Sequence, residues 1–258
     1  MHAHKALEPC GTSGHGLAVN TTHTSTYRVR RSDERGHFRH GWLDTRHTFS
    51  FGDYYDPAHM GFRSLRVIND DIISPGSGFP THPHRDMEIF SYVLKGTLAH
   101  QDSMGNRREL NPGEIQLMRA GSGVTHSEFN PSAEEPVHIL QIWILPEKRG
   151  LTPAYTEWTP TAGQNPFKSL VISRDGREGS ASIAQDADVF RILTTHPGTS
   201  ISHEIREGRG VWLHVIRGQA HIHEMVISSG DSLSVEEPAT LNITSGSEPL
   251  EALLFDLR

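Results

Sequence analysis

Two stretches of this chain repeat one pattern, and that repeat limits its fold more than any other feature. "IFSYVLKGTLAHQDSMGN" (Ile89–Asn106) and "VWLHVIRGQAHIHEMVISSGD" (Val211–Asp231) both read as an alternating strand, a Lys-Gly or Arg-Gly turn, and a second alternating strand. A hairpin seen twice about 120 residues apart points to a duplicated small β-domain. The surrounding sequence agrees. From Tyr27 onward, short runs of Val, Ile, Leu, Phe and Thr such as "SLRVINDDII", "EIQLMRAGSG" and "HILQIWILP" are cut by Gly, Pro, Asn and Asp, the signature of strands and turns. Helical periodicity is nearly absent. Its best candidate, "REGSASIAQDADVF", is interrupted by glycine and small polar residues, so only short helices or single turns are expected.

The 258 residues would suit one large sandwich or two ordinary domains, and the repeat favours two. The break falls in "LPEKRGLTPAYTEWTPTAGQNPF", after which a second series of strands begins with "SLVISR" and ends with "EALLFDL". Three units result: a polar leader at 1–26, a first β-unit at 27–145, and a linker plus second β-unit at 146–258. The leader contains His2, His4, His15, His23 and the single Cys10, and its polar, Gly-containing composition predicts disorder. One cysteine allows no internal disulfide, which fits a reducing cytoplasm. No stretch has the apolar length of an export signal or a membrane span. With 24 Lys+Arg against 31 Asp+Glu, the formal charge of −7 disfavours nucleic acid and anionic membranes as partners. The basic run Arg28–His40 has acids interspersed and reads as a solvated face. The chain is expected to act as a monomer.

Chemistry concentrates in "FPTHPHRDMEIFSY", where His82 and His84 stand one residue apart with Glu88 beyond them, and in "AGSGVTHSEFN", where His126 and Glu128 repeat the spacing. On a strand, residues i and i+2 share a face, so two such pairs on facing strands could close one metal site. Single histidines such as His100, His138, His196, His203 and His214 read as ordinary hydrogen-bonded residues. "HIH" at His221 and His223 has no later histidine to complete a second site, so the second unit is expected to be metal-free. The absence of a G-x-S-x-G turn argues against nucleophilic hydrolysis.

Taken together, His82-x-His84-x3-Glu88, Gly96, Gly113 and "AGSGVTH" resemble the two-part cupin signature, whose members are jelly-roll barrels. One extra residue precedes Gly96, and more residues than usual separate Gly121 from His126. With "HGWLDTRHTFSFGDYYDP", "FRSLRVINDDII", "HQDSMGN" and "GVTHSEFNPS", the chain looks like the pirin branch, and most like bacterial pirin-like quercetin dioxygenases. The resemblance runs from Tyr27 to the C-terminus and is densest between Gly41 and Trp143. It implies an all-β bicupin of two small jelly-roll barrels in tandem. It also implies one metal held by His82, His84, His126 and Glu128, since pirins take their fourth ligand from the position of Glu128, whereas many other cupins take it from that of Glu88. On an unbroken strand Glu88 would keep parity with His82 and His84 and could hold an imidazole in place, the equal alternative being an exposed or salt-bridged strand residue. Three imidazoles and a carboxylate suit a divalent transition metal; oxygen chemistry favours iron, with nickel, copper, manganese, cobalt and zinc also compatible. Phe79, Phe90, Met118 and Phe129 are the candidates to line an apolar pocket, with ordinary core as the commoner fate of such residues. The implied activity is cleavage of the flavonol quercetin by O2 with release of carbon monoxide, Glu128 serving as ligand and general base. The rival readings are a metal-bearing regulator that binds protein partners, and a metal cupin acting on another small substrate.

Overall fold

The computed structural model describes residues 26–161 and 163–258; Cys10 and the leader histidines lie outside these. The described chain is built of strands, with 3₁₀ turns at Ser32–Glu34 and Arg177–Gly179. They form two seven-stranded and two four-stranded sheets. In the first half the large sheet runs in the order 154–158, 115–119, 88–95, 137–144, 65–73, 43–47, 36–40, and the small sheet in the order 78–84, 124–129, 98–102, 107–110. The second half repeats the plan, its central strands being Gly210–Arg217 and Glu251–Leu257. This is the all-β bicupin architecture expected from the sequence.

The duplicated hairpins fold alike for one local reason. Gly96 and Gly218 adopt φ of 80° and 79°, in the left-handed region that glycine enters without strain. At both positions the backbone is crowded as well. A Cβ on Gly96 would meet the Pro136 carbonyl oxygen at 3.0 Å, and one on Gly218 would meet that of Pro249 at 2.3 Å. Each turn thus presses on a proline one or two residues before a central strand, Val137–Ile144 or Glu251–Leu257.

The large sheets of the two halves share one hydrophobic core. It joins Phe90, Tyr92, Leu117, Leu140, Ile142 and Trp158 of the first half to Val171, Ile172, Val189, Trp212, Leu253 and Phe255 of the second. These large-sheet strands are therefore buried on both faces, which is why their sequences read as near-continuous apolar runs. In Glu88–Lys95, Phe90 and Tyr92 face the shared core, whereas Ser91 and Val93 face the interior of the first half. The Tyr92 hydroxyl donates to Glu251 Oε1 at 2.6 Å, linking the halves.

Two edge strands depart from the expected division at residue 145. Arg28–Arg30 pairs with Ser232–Val235 in the second half, and Ala154–Trp158 pairs with Ile115–Arg119 in the first. The first of these is anchored by Asp231, which accepts from the Ser32 backbone N–H and the Arg31 guanidinium, both at 2.8 Å. Each half thus closes an edge of the other's large sheet, covering unpaired backbone groups.

Candidate metal centre

The strands Gly78–His84 and Val124–Phe129 are antiparallel neighbours, with His82 directly opposite His126. Gly78–His84 is an edge strand, which tolerates Pro80 and Pro83 because half of its backbone donors need no ladder partner. At its start only glycine fits, since a Cβ on Gly78 would lie 2.2 Å from the Glu128 carbonyl oxygen. A register irregularity between His126 and Glu128 then sets Glu128 opposite Phe79.

This pairing brings His82, His84 and His126 into one cluster. Their ring centroids lie 4.5–4.8 Å apart, and one ring nitrogen from each falls within 4.8 Å of the others. His82 and His126 face one another through Nε2 at 3.0 Å. The other nitrogen of His82, Nδ1, donates to the Pro80 carbonyl at 2.8 Å, which leaves the Nε2 lone pair free for a ligand. Burial, and then the neighbouring histidines, push His84 down to about 4 and His126 down to about 3. Both rings are therefore neutral at pH 7, the form that binds a metal.

Glu128 is 1% exposed beside this cluster. Its carboxylate accepts from Ser91 Oγ at 2.5 Å, from Gln116 Nε2 at 3.3 Å and from Gln141 Nε2. These three donors lie in one register row across the large sheet, which continues to Asn69 and His47: Gln116 opposite Ser91, Ser91 opposite Gln141, Gln141 opposite Asn69, Asn69 opposite His47. A row of buried polar groups inside an otherwise apolar sheet is costly unless satisfied, and here its centre is satisfied by Glu128. The imidazoles of His126, buried, and of His82 and His84, half-buried, with the Glu128 carboxylate within 4.8 Å of a His126 ring nitrogen, form a donor set that fits a divalent transition metal.

The site faces a cavity of about 340 Å³ whose lining includes the apolar Phe51, Phe79, Pro80 and Trp143 and the polar Asn69, Asp71 and Gln141. Trp143 meets the ring of Phe51 edge-on at 5.3 Å and that of His84 at 5.0 Å. Burial pushes the Asp71 carboxyl up to about 7.

Several sequence expectations are corrected here. Glu88 does not reach an imidazole: its wholly buried carboxylate accepts from Arg119 Nε at 3.0 Å and from the Ala184 backbone N–H at 3.3 Å. The strand is not unbroken, because Asp86 turns the chain at φ 51° and hands it from the small sheet to the large one. Glu88 consequently shares parity with Phe90 and Tyr92, toward the second half. Of the four pocket candidates only Phe79 lines the cavity. Phe90 belongs to the core between the halves, and Met118 packs with Ile89 and Val124. Phe129 is 38% exposed, because it alternates with the inward-facing His126 and Glu128.

Conversely, His100, which the sequence reading set among ordinary histidines, is buried opposite Glu128, and a nitrogen of its ring lies within 4.8 Å of ligand atoms of both His126 and Glu128. His138 bonds Asp70, His203 bonds Asp256 and His214 bonds Ser232. His221 and His223 are exposed, the latter 2.9 Å from the Tyr27 hydroxyl. Sequence reasoning also missed Ser91, Gln116 and Gln141. Their one signal is a lone polar residue inside an apolar run, as in "IFSYVL" and "HILQIWI".

Residues 28–144 match the Pirin family model, and residues 170–257 match the model of the quercetinase C-terminal cupin domain. A quercetin 2,3-dioxygenase of Escherichia coli K12 is 48% identical over 89% of this chain and 97% of its own length. The chain belongs to the pirin family. A putative quercetin 2,3-dioxygenase of Pasteurella multocida is a further relative, 43% identical over 89% of this pirin and 99% of its own length. The crystal structure of the bacterial pirin YhhW from E. coli in complex with nickel(II) superposes on this pirin with a TM-score of 0.84 at 47% identity, covering 90% of this chain and 99% of that one. Among the described residues of this pirin, no helix is long and apolar enough to cross a membrane.

Proposed function

We propose that the chain is a metal-dependent dioxygenase that opens the central ring of a flavonol such as quercetin with O2 and releases carbon monoxide. The observation that carries this reading is the convergence of three imidazoles and Glu128 on a cavity that Phe51, Phe79 and Trp143 also line. The quercetin dioxygenase names of the E. coli and Pasteurella relatives support the substrate class.

His82, His84, His126 and Glu128 would hold one divalent metal, which supplies Lewis acidity toward the flavonol oxygens and a redox partner for O2. We assign iron for that role; the same donors accommodate nickel, the metal in the E. coli structure. Glu128 takes the proton of the substrate 3-hydroxyl as general base. Ser91, Gln116 and Gln141 keep its carboxylate pointed for that transfer, and Phe51, Phe79 and Trp143 clamp the flat rings and exclude water. The second half, in this reading, carries no metal and supports the first through the shared core. The protein works as a cytoplasmic monomer on a small aromatic substrate and O2, with no nucleic-acid or membrane partner. Incubating metal-reconstituted protein with quercetin in air tests the proposal. Loss of flavonol absorbance coupled to oxygen uptake is expected, and an unchanged flavonol with full metal occupancy would favour the regulator reading.

A further inference from the structure

The cavity wall holds polar groups that bond neither to the metal ligands nor to Glu128. Asp71 and Asn69 are 2% and 4% exposed, and both line the cavity. The Oδ1 atom of each is buried without a hydrogen-bond partner, as is Trp143 Nε1 on the same cavity. Cross-strand from them, Thr45 comes near enough to Asp71 to oppose the upward push on its carboxyl but its Oγ1 completes no hydrogen bond, and His47 Nδ1 opposite Asn69 also lacks a partner. Buried acceptors left open in a native fold require an explanation, and these belong to residues that border a space large enough for a ligand. Asp71 stands outside both clusters of metal-capable groups.

We infer that Asp71, with Asn69 beside it, is a specificity-determining residue that receives a ligand hydroxyl other than the 3-hydroxyl, so that the pocket selects polyhydroxylated flavonols over the bare ring system. The inference rests on the flavonol reading and extends it. An aromatic hydroxyl suits these acceptors because it donates a hydrogen bond while its ring meets the apolar lining of Phe51, Phe79 and Trp143. An ammonium donor would lose far more hydration on entering.

The test is binding without turnover: nickel-loaded protein, in the absence of oxygen, titrated calorimetrically with quercetin and with 3-hydroxyflavone, which keeps the 3-hydroxyl and 4-keto groups and lacks the other four hydroxyls. Wild-type protein is expected to bind quercetin at least about tenfold more tightly, the worth of one good hydrogen bond. Asp71→Leu should bring the ratio close to one by weakening quercetin alone, and Asp71→Asn, which keeps an acceptor and a donor, should restore part of it. Equal affinity of wild-type protein for the two flavonols overturns the inference. So does an Asp71→Leu variant that keeps the wild-type ratio, or one that weakens both ligands alike at normal metal content. If neither flavonol binds wild-type protein, the flavonol reading itself falls, which separates that failure from a failure of Asp71.

Discussion

Glu88 and Glu128 sit forty residues apart in the two cupin motifs, and the structure gives them opposite duties, so the same chemical change should have opposite effects at each. Glu88→Gln keeps the shape and one oxygen for Arg119 and Ala184, but removes the negative charge opposite the Arg119 guanidinium. Glu88 is wholly buried and Arg119 reaches solvent with about a fifth of its side chain. The loss should therefore fall below that of an uncompensated buried charge, at about 2 kcal/mol. For a chain of this size that is a fall of about 4–8 °C in the unfolding midpoint. Metal content and turnover should stay near wild type, since Glu88 points into the interface between the halves. Glu128→Gln leaves three imidazoles in place and keeps much of the metal, yet it replaces the proton acceptor with a nearly non-basic amide. Turnover should then drop by about 10²–10⁴, the usual worth of general-base assistance. The assay measures metal content, thermal midpoint and quercetin consumption on the same preparations. The reasoning is refuted if Glu88→Gln abolishes turnover at an unchanged midpoint while Glu128→Gln remains active.

Replacing His82 or His84 with Ala should remove most bound metal, whereas wild-type protein should carry one metal per chain by elemental analysis; two tightly held metals would contradict a metal-free second half. Chelation should lower the midpoint of wild-type protein, by about 2.7 kcal/mol in stability if free metal had stood about a hundredfold above its Kd, and leave that of His84→Ala unmoved. His214 is buried against Ser232, and burial holds it down to about 3, so between that value and the ordinary histidine value near 6.5 only the unfolded chain takes up its proton. Stability should fall as the pH is lowered through that window, and denaturant titrations of His214→Gln should show a shallower fall.

The duplicated β-architecture was legible because alternation and a glycine turn are local features, and the Lys95-Gly96 and Arg217-Gly218 turns occupy equivalent corners. The cluster of His82, His84 and His126 was foreshadowed by i, i+2 spacing for the same reason. Of the two readings open for Glu88 and for Phe90, the site-facing one fails because one residue, Asp86, turns the chain between sheets and resets which face each later side chain takes. The exchange of edge strands left no local trace, since Arg28–Arg30 finds its partner about 200 residues away at Ser232–Val235. Nor did the row from Gln116 to His47, because a polar residue inside an apolar strand gains its meaning only from the strands beside it. Asp70 and Asp71 show the point: adjacent in sequence, one bonds Arg35 and His138 while the other lines the cavity.

The central claim, a ring-opening dioxygenation at this metal centre, is tested most directly by headspace carbon monoxide. Metal-reconstituted wild-type protein given quercetin in air should release carbon monoxide mole for mole with the quercetin and O2 consumed, and metal-depleted His84→Ala should release none. Quercetin loss without carbon monoxide, or equal release from the His84→Ala protein, would contradict it.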